Sequence, residues 1–343
     1  MATQMNPAAT PTIGSCLSEP LTVGEPDVSG PLAVFPIFGA DARQRFVSFA
    51  RGRDAGAVTI KEVASASVRD LTVVNSGGLP VLLYEGEEVL GGQQNRSFDV
   101  SLLVAPGTVL TVPVSCVEAG RWDDSSHGVA HISSVQSAYP ELRRAKSLSK
   151  MRRQAAGMRA ESDQGEVWDM LDAKSDRLGA SSPTHAMSDI YEQRRDDLQG
   201  FIEAVRLHDG QLGALVAIAG SFCVMDFAAR AEVFASLHGP LVQGYALDAL
   251  EAVGRDAAPA GAESARGFVA LVCGAGMVEH DSAGLGRDLM FAQDGIAGSG
   301  LVNEDELVQL TAFPQNGGSG AEAAAARSAG GRIRRPSMRR RQE

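Results

Sequence analysis

The chain has 343 residues, enough for one large core or two smaller ones, and an apolar fraction of 44% that suits an ordinary globular fold. Its net charge is −11; the last twelve residues carry six Arg and one Glu, so the remainder stands at −16. Such an acidic body repels phosphate backbones, which sets aside nonspecific nucleic-acid binding for everything but the tail.

The first 18 residues are rich in Pro, Thr and Ala and are expected to lack order. They lack the basic start and apolar run of a signal peptide, and no later run is long enough to span a membrane. From Leu21 short apolar runs alternate with turn residues. Leu32–Phe38 reads as a strand that Pro36 pushes towards a sheet edge. Phe46–Ala50, Val58–Ile60 and Leu71–Val74 follow, the last ending at the hairpin-type turn Asn75-Ser-Gly-Gly. Val81–Tyr84, Ser101–Val104 and Val109–Val114 complete a β-rich segment over 19–125, expected as an antiparallel sandwich or barrel-like sheet.

After Trp122 the pattern changes. A helical segment is expected over 126–208, with helices near 140–159, 164–178 and 186–207, the first strongly basic. A smaller α+β portion follows over 209–313, packed on the first. Leu212–Val224 reads as one buried strand and Asp226 as the N-cap of a helix over Phe227–Leu237. Pro240 suits the first turn of another helix reaching Val253. Ala262–Val272 fits a helix or a strand, and three closing strands cover Leu289–Ala292, Gly300–Val302 and Leu307–Thr311. Residues 314–343 form a Gly, Ala, Ser and Arg-rich tail expected to be disordered. The fold class is therefore α+β.

Cys16, Cys116, Cys223 and Cys273 are widely spaced and form no CxxC pair, which suits reduced thiols in a cytoplasmic protein. Apolar flanks make Cys116 a poor nucleophile. Neither a phosphate loop, a dinucleotide fingerprint nor a nucleophile elbow is present. His127 and His131 have metal-ligand spacing only if their Gly- and Ser-containing surroundings were helical.

The chemistry concentrates between Pro80 and Trp122. Glu85 and Glu87 share a strand face, and Glu118 ends a later strand. Gathered in a cleft, these carboxylates would hold a divalent cation or divide into acid and base; apart, they cap turns. Gly91-Gly92 permits a sharp turn into Gln93, Gln94, Asn95 and Arg96, whose amides and guanidinium suit a polar, anionic ligand. Arg121 and Trp122 could stack on a flat base, or pair with Glu118 and close the core.

Three stretches, Tyr84-Glu85-Gly86-Glu87, Gly91–Arg96 and Pro113-Val-Ser-Cys116-Val-Glu118-x-Gly120-Arg121-Trp122, together resemble the ARG and rhodanese-phosphatase superfamily-associated protein domain. The likeness continues through Gln211-x-Gly213-Ala214, Gly220, Asp226 and Leu310-Thr-Ala-Phe313. That family is named for neighbours that include ADP-ribosylglycohydrolases and phosphatase-like proteins. The resemblance implies a setting in ADP-ribose or NAD metabolism and in conflict between viruses and hosts, and supplies no catalytic residues.

Two expectations follow. In the first, the protein binds or processes an ADP-ribose- or NAD-type nucleotide, with Glu85, Glu87 and Glu118 catalytic and Gln93, Gln94, Asn95, Arg96, Arg121 and Trp122 holding the ligand. In the second, it is a noncatalytic module that recruits a neighbouring enzyme of ADP-ribose metabolism, and the polar cluster is a structural hub. The Arg-rich tail adds a weak case for nucleic-acid contact.

Overall fold

A computed structural model describes residues 11–63, 67, 69–123, 125 and 130–315. The expected disordered tail from 316 and the expected His127 ligand lie outside them. Residues 13–16, expected to lack order, instead form a 3-10 turn whose Ile13 is buried and donates its N–H to Ala275 O at 3.1 Å.

The chain runs through β1 (Thr22–Val23), β2 (Asp27–Ser29), β3 (Leu32–Phe38), β4 (Val47–Ser48), α1 (Phe49–Asp54), β5 (Val58–Glu62), β6 (Asp70–Asn75), β7 (Val81–Leu83), β8 (Glu87–Leu90), β9 (Arg96–Phe98), β10 (Leu102–Val104) and β11 (Thr108–Cys116). Then come β12 (Ile132–Ser137), α2 (Pro140–Ala155), α3 (Gln164–Leu178), α4 (Met187–Gln193), α5 (Arg195–Ala204), β13 (Gln211–Ile218), β14 (Ser221–Ala228), α6 (Ala231–Leu250) and α7 (Ala262–Gly274). Four strands close the chain: β15 (Val278–Asp281), β16 (Arg287–Gln293), β17 (Ile296–Asn303) and β18 (Glu306–Pro314). The fold is α+β, with a mostly β N-terminal region.

Three sheets organise it. A nine-stranded sheet runs β1-β3-β13-β14-β18-β17-β16-β15, with β2 also on β3. The N- and C-terminal segments therefore share hydrogen bonds as well as packing. Pro36 fits because its carbonyl accepts from Gly24 N–H between the registers of β1 and β2, where its missing donor leaves no ladder bond unmade. A six-stranded sheet runs β12-β8-β9-β11-β6-β5, and a three-stranded one β10-β7-β4. The six-stranded sheet curls: His131, just before β12, bridges Ile60 of β5, its N–H reaching Ile60 O at 2.7 Å. The two end strands thus meet.

Several local expectations fall to tertiary context. Leu212–Val224 is a hairpin rather than one strand. Ala219 (φ 47°) and Gly220 (φ 75°) make its turn between β13 and β14. Asp226 is not an N-cap but a fully buried strand residue, and the next helix starts at Ala231. Pro240 lies inside the 20-residue α6 instead of starting a helix. Burial of Val233, Phe234, Leu237, Leu241, Val242 and Tyr245 offsets the hydrogen bond that proline removes. The middle segment is helical from α2 to α5 but opens with β12, which its serines disguise. Pro140 occupies the first turn of α2, as a pre-set φ favours there. Among the described residues no helix is long and apolar enough to cross a membrane.

Candidate functional site

Side chains alternate along strands, so register dictates what the curled sheet encloses. Val58, Ile60 and Glu62 of β5 face inward; Leu71 and Val73 of β6 oppose Glu62 and Ile60. On β11 the inward set is Val112, Val114 and Cys116, opposed on β9 by Phe98 and Arg96. The apolar members join Phe49, Val81, Leu83 and Val89 in one core. The polar members, Glu62, Arg96 and Cys116, gather with His131 at one end of the curl.

Arg96 is the unusual residue in this end. Its side chain has no solvent exposure, yet Nε, Nη1 and Nη2 all lack a hydrogen-bond partner among the described residues. Its nearest counter-charge is Glu62 Oε2, 3.8 Å from Nη2. Burial draws the guanidinium below its ordinary pKa, opposed by negative charge at Cys116 and Glu62. Unmade bonds of this kind cost about 1–3 kcal/mol each, more for charged groups, and call for a reason. Glu62 is better served: Gln93 N–H donates to Oε1 at 2.9 Å, and His131 Nε2 lies 3.3 Å from the same oxygen. Burial raises its carboxyl, but His131, the Gln93 amide and Arg96 together hold it below the usual value. Cys116 is fully buried, and burial pushes its thiol up, which leaves it a poor nucleophile.

The loop over this end needs its glycines. Gly91 and Gly92 adopt φ of 103° and 55°, and a Cβ on Gly92 would stand 2.3 Å from His131 Nε2. Gln94 Nε2 donates to Glu118 O at 3.1 Å, and Asn95 N–H to Glu118 Oε2 at 3.1 Å. Arg121 reaches Glu118 Oε2 at 2.7 Å, Asn95 Oδ1 at 3.1 Å and Gly92 O at 2.9 Å. Gln93 O accepts from Asp123 N–H at 3.1 Å. Residues 91–96 and 117–123 therefore fasten each other. Trp122 beside them is 41% exposed.

The three carboxylates expected to act together share no bonding partner. Glu85 Oε2 meets Lys150 at 3.2 Å and Ser299 at 3.0 Å, on the side of the nine-stranded sheet. Glu87 Oε2 accepts from Tyr84 N–H at 2.8 Å, and burial pushes its pKa up to about 7. Glu118 serves the loop, with Thr184 Oγ1 donating to its other oxygen at 3.1 Å. The strand face shared by Glu85 and Glu87 does not arise, because Gly86 turns the chain at φ 88° before β8 begins. His131 is an extended residue on a bridge, so helical metal-ligand spacing with His127 does not apply. A pocket of about 610 Å³ between β3 and α5 is lined by none of the expected site residues.

The profile of one known domain family covers residues 20–313, from just before β1 to the last strand, β18. The chain belongs to the ARG and Rhodanese-Phosphatase-superfamily-associated Protein domain family. No curated protein and no solved structure matches it.

In this family domain, the basic helix α2 presents a charged face inward. Arg143, Lys146 and Lys150 are buried, and each has its own acid: Asp226, Asp99 (3.0 Å) and Glu85 (3.2 Å). Asp226 is the densest node. It accepts from Tyr84 Oη at 2.8 Å, Tyr245 Oη at 2.6 Å and Arg143 Nη1 at 2.9 Å. Burial, with Asp226 beside them, keeps both tyrosines protonated and donating. Sequence reasoning missed Glu62, Asp99 and the α2 cations as members of the polar interior. For Glu62 the signal was present, an acid at the inward step of Val58-x-Ile60-x-Glu62.

Proposed function

We propose that the polar end of the curled sheet binds, and in its natural setting processes, a small anionic ligand of the ADP-ribose or NAD class, with Arg96 as its anchor. One observation carries the reading: a guanidinium buried without a hydrogen bond to any of its three nitrogens. A phosphate group supplies the acceptors that this planar fork demands. The amide-rich loop 93–95 lies beside it, and the positive φ of Gly91 and Gly92 brings that loop against His131 and Glu62. The ligand class is what the resemblance implies, the family being named for its association with ARG and rhodanese-phosphatase superfamily proteins. Glu62, 3.8 Å from Arg96, and His131, which meets Glu62, are acid/base candidates in addition to Glu85, Glu87 and Glu118.

Calorimetry with ADP-ribose, NAD and AMP, with and without Mg²⁺, tests the reading on the wild type and on Arg96→Met. Methionine keeps the stem's volume but leaves Glu62 buried without its cation, so Arg96→Met should melt earlier than the wild type and, below its melting temperature, bind at least about tenfold more weakly. Equal binding by both proteins, or no binding by the wild type, refutes it.

A second reading keeps the protein noncatalytic, as a module that recruits a partner enzyme. The complete engagement of Arg121 by Glu118, Asn95 and Gly92 favours it, since a side chain so bound acts as a clasp. On that reading Arg121→Ala lowers the melting temperature and changes no ligand affinity.

A further inference from the structure

We infer that this site recognises a phosphorylated sugar rather than a bare anion, and that Glu62 is the residue that reads the sugar hydroxyl. The inference rests on the anion-site reading above and narrows its ligand.

The buried atoms without hydrogen-bond partners at this end are of two kinds. Arg96 Nε, Nη1 and Nη2 are donors in search of acceptors. Glu62 Oε2 and Gln94 Oε1 are acceptors in search of donors: burial is outweighed at Glu62 by its partners, which favour the carboxylate, and an amide oxygen only accepts. A phosphate dianion carries no hydrogen to donate. It would satisfy Arg96, leave both acceptors unmet, and stand against the charge of Glu62, only 3.8 Å from Arg96. A neutral sugar would satisfy the acceptors and leave the guanidinium bare. A phosphate ester with a hydroxyl close to its phosphate, as on a furanose ring, meets both sets at once. The phosphate lies on Arg96, one hydroxyl donates to Glu62 Oε2, and a second reaches Gln94 Oε1. The nearness of Glu62 to Arg96 is what demands a hydroxyl within a few bonds of the phosphate on one ligand. Sites built around a buried acceptor discriminate strongly against ligands that lack the matching hydroxyl, because the acceptor is then left unpaired.

The test is calorimetric titration of the full chain with three probes: inorganic phosphate, ribose and ribose 5-phosphate. In the wild type, ribose 5-phosphate should bind at least about 30-fold more tightly than phosphate, and ribose alone should give no heat. In Glu62→Gln the ratio should fall below about threefold, because relief of the neighbouring charge helps both phosphates alike while the sugar hydroxyl loses its carboxylate acceptor. Gln94→Leu, which leaves the Glu62–His131 contact intact, should lower the ratio without raising phosphate affinity, and it serves if Glu62→Gln melts early. Equal affinity of the wild type for phosphate and ribose 5-phosphate overturns the inference while leaving the anion site standing. So does an unchanged ratio in folded Glu62→Gln. Failure of every anionic probe and of ADP-ribose removes the anion site and this inference together.

Discussion

Arg143→Met is the sharpest perturbation of the interior. Arg143 and Asp226 have side-chain exposures of 1% and 0%, and they tie α2 to β14 through a bidentate pair. Removing the cation leaves a buried carboxylate with two tyrosine donors, and loss of one partner of such a pair costs about 3–5 kcal/mol. Arg143 also lies 5.6 Å from the centre of the Tyr84 ring, a contact worth roughly 1 kcal/mol. The sum is a large share of the roughly 5–15 kcal/mol that holds an ordinary domain folded. At about 2–4 °C per kcal/mol, the melting temperature should fall by roughly 8–24 °C. Arg143→Met/Asp226→Leu removes both charges and should be more stable than Arg143→Met alone, a non-additivity of several kcal/mol. Thermal and urea melts followed by circular dichroism measure both. A fall of less than about 3 °C for Arg143→Met, or an additive double variant, would show that the pair does not hold the interior together.

Three further outcomes are expected. Glu88 has its pKa pushed up to about 8 by burial, against 4.5 for an ordinary Glu, and Gln136 Nε2 donates to it at 2.6 Å. An acid whose folded pKa is raised stabilises fully below pH 4.5 and loses that contribution as pH climbs towards 8, at about 1.4 kcal/mol per unit. Glu88→Gln should therefore flatten the decline of stability between pH 5 and 8, and an unaltered slope in urea melts would count against the burial argument. Gly92→Ala should destabilise by about 1–3 kcal/mol and abolish ligand binding, since its Cβ must displace His131 and the residue sits at φ 55°; a crystal structure with an unmoved loop contradicts this. Lys174, 1% exposed, is held by Glu141, Asp248 and Glu251 and lies 4.4 Å from the centre of the Tyr139 ring. Lys174→Met should leave three crowded carboxylates and cost about 3–5 kcal/mol at neutral pH, recovering in part at pH 5 as Asp248, already pushed up to about 6, takes a proton. Equal losses at both pH values would refute that account.

Much of the architecture was legible because it depends on local patterning. Alternation marked Val58–Ile60, Leu71–Val74 and Val109–Val114 as strands, and all lie in the six-stranded sheet. Helix-prone composition marked α2 and the helix at 164–178, whereas 262–272 fitted a helix or a strand alike and folds as α7. The errors have one source. At Pro240, at Asp226 and in the 212–224 run, local propensity pointed one way and burial in a shared core decided otherwise.

By itself the sequence determined the α+β class, the stretch in which the polar groups crowd, the need for flexibility at Gly91-Gly92, and membership of the family. The tertiary structure alone decided which of those groups meet. Glu62 and Arg96 are 34 positions apart, and Arg143 and Asp226 are 83 apart. Only the curl of one sheet and the seating of α2 against another bring them within reach. The turn at Gly86 that separates Glu85 from Glu87 is equally a matter of path. Charge pairing depends on distance through space, and a chain records distance only along itself.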